Sequence, residues 1–162
     1  MFYSHIDKNS MKTLKIQYNT ALELALKFHK NQKDKSGAPY IGHILRVSEH
    51  CRTVKAKIAA LMHDLIEDTD LNLKNLQDFG FDDDILDAVN ALTKIDNEKT
   101  KKYVDRILTS KIAIEVKLSD LLDNMDLSRL KNITEKDLKR TKKYKKMFKK
   151  LSKNLPKNLP KK

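Results

Sequence analysis

The sequence predicts an all-helical single domain, and three observations carry that prediction. Apolar residues recur three and four positions apart through most of the 162 residues, the pattern of one buried helix face. Breakers are scarce, with 3 Gly and 3 Pro against an abundance of Lys, Leu, Ile, Asp and Asn. Capping residues punctuate the apolar runs, most clearly Thr134 with Asp137 three residues on. A chain of this length buries a real core without staples, and the runs divide into about eight helices.

In order, residues 1–10 are expected to form an N-terminal arm, residues 11–152 the domain and residues 153–162 a disordered basic tail. From about Met11 to Asn31, Leu14, Ala21, Leu24, Ala25 and Phe28 repeat at helical spacing. The next stretch, QKDKSGAPY, reads as a loop from its Ser-Gly and Pro signals. Pro39 suits the first turn of a second helix with Ile41, Ile44, Val47 and Cys51. A central helix is expected from about Thr53 to Asp68. Thr69 and Asp70 offer caps for a short helix with Leu73 and Leu76, stopped at Gly80.

Asp82 to Lys94 and Glu98 to Leu108 give two further helices. In IAIEVKLSDLLDNMDLSRL, Ile112, Ile114, Val116 and Leu118 alternate like a strand, yet Leu118, Leu121, Leu122 and Met125 keep helical spacing. No second strand-like run exists to pair with it, so a helix is expected. Thr134 then opens the last helix, with Leu138, Thr141, Tyr144, Phe148 and Leu151 on one face.

The single Cys51 excludes an internal disulfide and any zinc-type cysteine spacing. No run reaches the roughly 18 apolar residues of a membrane span, and the N-terminus has no apolar signal core, so a cytoplasmic protein is expected. The net charge of +12 is localised: residues 129–162 hold 15 Lys/Arg against 2 Asp/Glu, whereas residues 1–128 hold 19 against 20. Lys greatly outnumbers Arg, while phosphate and base recognition lean on Arg. The basic end therefore reads first as a solvated helix face and frayed tail, with polyanion or nucleic-acid binding as the secondary reading.

The stretch AALMHDLIEDTD, Ala59 to Asp70, concentrates the chemistry. On a continuous helix His63 would stand over Glu67 and Asp64 over Asp68, with Leu65 and Ile66 turned into a core. Four ionisable groups on a greasy helix are costly unless they are solvated, paired or bound to metal. His43 lies twenty residues earlier in PYIGH, and Asp120 far downstream in KLSDLLDN. Two histidines and two carboxylates suit one divalent cation such as Mn, Fe or Zn. By spacing alone, scattered His and Asp in a folded chain are as well explained by packing and solvation.

The set GAPYIGH, LMHDLIEDT and VKLSDLLDN resembles the HD-domain metal phosphohydrolases. Among these it is most similar to the hydrolase domain of RelA/SpoT-type alarmone enzymes and to the small alarmone hydrolases. The resemblance runs from about Ala21 to Leu151, and HD followed by an ED pair is its most specific piece. It implies an HD-domain helical bundle with His43, His63, Asp64 and Asp120 as ligands of one divalent metal, Mn²⁺ by family habit. It makes Glu67 and Asp68 the acidic pair that positions and activates the attacking water. The implied reaction removes the 3′-pyrophosphate from guanosine tetra- or pentaphosphate. A bound metal lowers the pKa of its water from about 15.7 towards about 7, and a neighbouring carboxylate can take the proton. No histidine follows His63, which favours one metal over two.

The match loosens where substrate would bind. The long enzymes carry Arg-Lys before Ser-Gly, but here the stretch is Lys33-Asp34-Lys35-Ser36-Gly37, as in some small alarmone hydrolases. The family's Asp-Arg-Leu-His-Asn-Met becomes Asp120-Leu121-Leu122-Asp123-Asn124-Met125, losing Arg and His. Lys33, Lys35 and Asn124 remain as candidates to hold phosphates or ribose. Tyr103 and Arg106 are expected to be a packed aromatic and a surface cation. Two alternatives stay open: another phosphorylated nucleotide as substrate, and a non-catalytic module that grips nucleotide or polyanion through the basic helix.

Overall fold

Two helices buried on nearly all sides form the centre of the protein. The structure is a computed structural model that describes residues 8–155. Its elements in chain order are α1 (Lys8–Phe28), α2 (Ile41–His50), α3 (Val54–Met62), α4 (Leu65–Asp68) and α5 (Leu73–Asp78). They continue with α6 (Asp83–Leu92), α7 (Thr100–Ile107), α8 (Lys111–Met125), a 3-10 turn (Leu127–Arg129) and α9 (Glu135–Ser152). Helix α3 packs against α1, α2, α6 and α8, while α8 also meets α2, α6, α7 and α9. Among the described residues the only β-type pairing is the isolated bridge between Lys33 and Pro39, so the all-helical expectation holds.

Helix α3 earns its central place by composition. Ala56, Ala59 and Ala60 let neighbouring helices approach closely, and Ile58, Leu61 and Met62 fill the space between them, all fully buried. Truncating Leu61 to Ala would cost about 2–5 kcal/mol. Thr53 caps the helix by accepting from the Ala56 amide. The buried Glu115 of α8 adds a carboxylate at the same terminus, accepting from the amides of Arg52 and Thr53 and, at 2.9 Å, from the Thr53 hydroxyl. Negative charge at a helix N-terminus is favourable.

Helix α8 explains its own ambiguous pattern. Every residue from Ala113 to Leu121 is buried, so no single stripe faces solvent and the helical period is blurred into strand-like alternation. Leu122 is 49% exposed and Leu138 50%, so these two apolar positions do not join the core. The expected capping box of α9 is present, with Thr134 and Asp137 each accepting from the other's backbone.

Several expected boundaries move. Helix α1 begins at Lys8, so residues 8–10 of the expected arm are helical, while residues 1–7 lie outside the described residues. Of the expected tail, residues 156–162 also lie outside them. Helix α2 starts at Ile41, two residues past Pro39. Helix α5 is capped by a reciprocal Asn72–Asn75 pair rather than by Thr69 or Asp70. Thr69 instead closes the preceding turn, its hydroxyl donating to the Leu65 carbonyl at 2.5 Å.

The most consequential change is in the central helix, which breaks after Met62 and resumes for one turn as α4. His63 stays helical at φ −62°, ψ −25°, but Asp64 moves to φ −109°, ψ −1°. On a continuous helix consecutive side chains diverge by about 100°, and at the break His63 and Asp64 meet, with Nε2 of one 3.0 Å from Oδ2 of the other. Asp64 and Asp68 stay one turn apart, the Asp68 amide donating to the Asp64 carbonyl at 2.9 Å.

Candidate metal centre

Four side chains from three parts of the chain meet at the break. His43 comes from α2, His63 and Asp64 from the α3–α4 junction, and Asp120 from the buried face of α8. Nε2 of His43 lies 3.4 Å from Oδ1 of Asp120 and 3.9 Å from Oδ2 of Asp64. Nε2 of His63 lies 3.0 Å from Oδ2 of Asp64 and 3.8 Å from Oδ1 of Asp120. His43, His63 and Asp120 each offer a ligand atom within 4.8 Å of the others, and all three are buried.

The second nitrogen of each ring fixes which way the first must point. Nδ1 of His63 sits 2.7 Å from the Ala60 carbonyl, and Nδ1 of His43 sits 2.6 Å from Oδ2 of Asp123. Both partners can only accept, so each Nδ1 donates and, in the neutral ring, each Nε2 turns a lone pair into the cluster. Nε2 of His63 is buried and has no hydrogen-bond partner. Lone pairs on nitrogen and carboxylate oxygen thus face one another. Protons relieve that repulsion in the ion-free protein: burial works against charging His63, but Asp64 and Asp120 outweigh it and raise its pKa well above the ordinary value. A divalent cation relieves it without protons, and a mixed N/O donor set with a locked outer shell fits such an ion.

The carboxylates are held ionised. Burial would raise Asp120, but the Lys117 ammonium and both imidazoles outweigh it and keep the carboxyl well below its usual range. Lys117 is itself buried, with Nζ 2.7 Å from Oδ2 of Asp120, which leaves Oδ1 for the cluster. Asp64 is likewise lowered, His63 outweighing burial, and its Oδ2 accepts from the Tyr40 hydroxyl at 2.5 Å. Burial, followed by the charges of Asp64 and Glu67, raises Asp68, which suits a proton acceptor.

Two cavities flank the cluster and share Tyr40 and Asn124 in their walls. One of about 210 Å³ is lined by His63, Asp64, Glu67, Asp68, Lys94, Lys117 and Asp120. The other, of about 260 Å³, is lined by Lys33, Asp34, Lys35, His43, Asp123, Arg129 and Arg140. All three sequence-named substrate candidates therefore reach one cavity. Glu67, however, is partly committed, its Oε1 accepting from the Lys94 amide at 2.7 Å. Asn124 is also engaged, its Nδ2 donating to Oδ1 of Asp120 at 2.5 Å.

Arg106 is not at this site. It donates to the carbonyls of Asn90, Ala91 and Thr93 at the end of α6 and pairs with Glu98 at 2.7 Å. Tyr103 is buried with its hydroxyl on the Leu92 carbonyl, though its ring lines the smaller cavity. Sequence reasoning missed Tyr40, Lys117 and Arg129, and it counted Asp123 only as a lost histidine. The available signal was spacing: Lys117 and Asp123 stand three residues either side of Asp120 on α8, and Tyr40 three before His43.

A family model described as HD domain matches residues 21–153. A GTP pyrophosphokinase of Streptomyces coelicolor is 34% identical over 131 residues, covering 70% of this chain and 15% of that protein. A guanosine-3′,5′-bis(diphosphate) 3′-pyrophosphohydrolase of Borreliella burgdorferi is 35% identical over 120 residues, covering 65% of this chain and 18% of that one. The chain thus spans less than a fifth of these long relatives. The guanosine-3′,5′-bis(diphosphate) 3′-pyrophosphohydrolase MESH1 of Drosophila melanogaster is 30% identical over 124 residues, covering 67% of this chain and 68% of that protein. A solved metazoan orthologue of SpoT, which hydrolyzes ppGpp, shares the fold with a TM-score of 0.71 at 24% identity, covering 88% of this chain and 89% of that one. The chain belongs to the HD-domain family, through the same stretch that builds its histidine–aspartate cluster.

Proposed function

We propose that this protein is a metal-dependent phosphohydrolase that removes the 3′-pyrophosphate from guanosine tetra- or pentaphosphate. The observation that carries the proposal is the meeting of His43, His63, Asp64 and Asp120 in one buried cluster, in a chain related to enzymes of that activity. These four residues would hold one divalent ion, Mn²⁺ in our reading. Such an ion supplies Lewis-acid charge and lowers the pKa of water towards about 7.

The protein's own groups do the rest. Asp68, with its raised pKa, takes a proton from the attacking water, and Glu67 orients that water from its place on the Lys94 amide. Lys117 and Lys94 line the same cavity and offset charge on the phosphoryl oxygens. Lys33, Lys35, Arg129 and Arg140 face the nucleotide's remaining phosphates from the larger cavity. Asn124 donates to Asp120 and stands in the walls of both cavities, where its remaining amide atoms meet a ribose or phosphate.

One observation favours a second reading, another phosphorylated nucleotide. Asp34 is bound into its own loop, Oδ1 accepting from Ser36 and from the Ala38 amide, and offers no flat cationic surface for guanine. The test is anion-exchange analysis of products after incubation with Mn²⁺ and guanosine tetraphosphate, its adenosine counterpart, or nucleoside mono- and bisphosphates. GDP and pyrophosphate, lost with chelator and with Asp64→Ala, are expected. Turnover of a different nucleotide alone would move the substrate and keep the site.

A further inference from the structure

A third hollow, of about 610 Å³, runs along the first half of α9 and is lined by Lys35, Glu135, Lys136, Lys139, Arg140 and Lys143. Lys35 and Arg140 also line the cavity beside His43, so the hollow adjoins the candidate substrate site. Five cations face one carboxylate, Glu135, which is 89% exposed and 3.9 Å from Lys139. An exposed pair of that kind offsets little charge. Arg140 is held at the junction by Asp137 at 2.9 Å, and Asp137 is fixed in turn by the Thr134 cap.

We propose that this groove holds the phosphodiester chain of a single-stranded oligonucleotide whose 3′-phosphorylated terminal nucleotide enters the cavity beside the cluster. The proposal rests on the phosphohydrolase reading above and extends its substrate class. Lys33, Lys35, Arg129 and Arg140 already stand at the cavity to meet one nucleotide's phosphates. Lys136, Lys139 and Lys143 lie outside its walls, and they repeat at about one helical turn, near 5.4 Å, a spacing a flexible backbone can follow. The stripe continues through Lys146 and ends where Lys150 meets Asp105 at 3.5 Å.

Lysines read a backbone as point charges without reading sequence. A cavity of about 260 Å³ admits a strand end, whereas a duplex would have to unpair first. In the reaction, a water oxygen bonds to the terminal phosphorus and the P–O3′ bond breaks. The 3′ oxygen keeps the electron pair and takes a proton, leaving inorganic phosphate and a 3′-hydroxyl strand.

The experiment uses the full chain and a 5′-fluorescein oligoadenylate of ten residues carrying a 3′-phosphate. Fluorescence anisotropy across a salt series should give a log–log slope of about −2 or steeper. K136S/K139S/K143S should weaken binding at least tenfold and flatten the slope, with an unchanged thermal melt and unchanged turnover of guanosine tetraphosphate. Inorganic phosphate should be released from the oligonucleotide by the parent protein and not by D64A. The single reversal K143E gives the same direction if the triple variant folds poorly. Unchanged affinity in the lysine variants, equal binding of a duplex, binding only of phosphatidylserine vesicles, or binding without phosphate release would each overturn the proposal. Loss of tetraphosphate turnover alone, with groove-dependent binding and phosphate release intact, supports the groove and removes only the alarmone reading.

Discussion

Nδ1 of His43 lies 2.6 Å from Oδ2 of Asp123, and the same carboxylate takes Arg46 Nε at 2.6 Å and Arg129 Nη2 at 3.1 Å. Asp123 stands where the resembled motif has histidine, and it locks the tautomer of a candidate metal ligand. Outer-shell partners of this kind are worth 10–100-fold in metal affinity, roughly. Asp123→Ala should weaken Mn²⁺ binding by about that factor in calorimetry, while Asp123→Asn, which keeps a carbonyl acceptor, should lose less. Equal affinity in all three proteins would remove Asp123 from the site's support.

Ligand and acid–base roles should separate cleanly. Asp64→Ala and His63→Ala should lose both metal and turnover. Asp68→Asn should keep metal and slow turnover by about 10²–10⁴-fold. Glu67→Gln should cost less than Asp68→Asn, because Glu67 is partly committed to Lys94. Full activity in both carboxylate variants would refute the mechanism.

Lys117 is a buried cation whose partner, Asp120, is a candidate metal ligand. Removing one member of a buried pair leaves the other uncompensated and costs about 3–5 kcal/mol. Lys117→Met should therefore lower the melting temperature sharply in chelator. Added Mn²⁺ should narrow the gap to the parent protein, since Asp120 regains a positive neighbour. A gap of the same size with and without metal would separate Lys117 from the cluster.

Acid stability should depend in part on Asp82, away from the cluster. Partial burial pushes its carboxyl up, but bonds from Gln17 and Lys55 outweigh this and hold it below the ordinary 3.8. A lowered native pKa means stability that is fully present above about pH 4 and lost as pH falls through the native value. Asp82→Asn should cost about 0.5 kcal/mol at neutral pH, the scale of a half-exposed pair, and less below pH 3. Denaturant melts at pH 7 and pH 3 would measure the difference, and a penalty that grew with acid would contradict the sign.

Local pattern made the helices legible, because a buried face imposes its period on sequence wherever the other face is solvated. That is why α1 and α6 match their expected apolar residues closely, why α9 does so apart from the exposed Leu138, and why the Thr134–Asp137 cap was legible in the sequence. The same reasoning failed for α3–α4. Propensity alone supports one continuous helix there, whereas the chain breaks at His63 and Asp64, where these two side chains meet.

By itself, then, the sequence determined the all-helical class and the order of the helices, since these depend on residue type and short-range spacing, while the four ligand candidates rested on its resemblance to the HD-domain family. Only the tertiary structure decided which of those residues meet, and how. His43, His63 and Asp120 become neighbours because α2, α3 and α8 pack together across up to 77 residues of chain. It also decided that Asp123 supports His43 and that Lys117 holds Asp120. The physical reason is common to all of these: a buried charge is tolerable only with a partner, and where the partner stands is set by packing between helices rather than by distance along the chain.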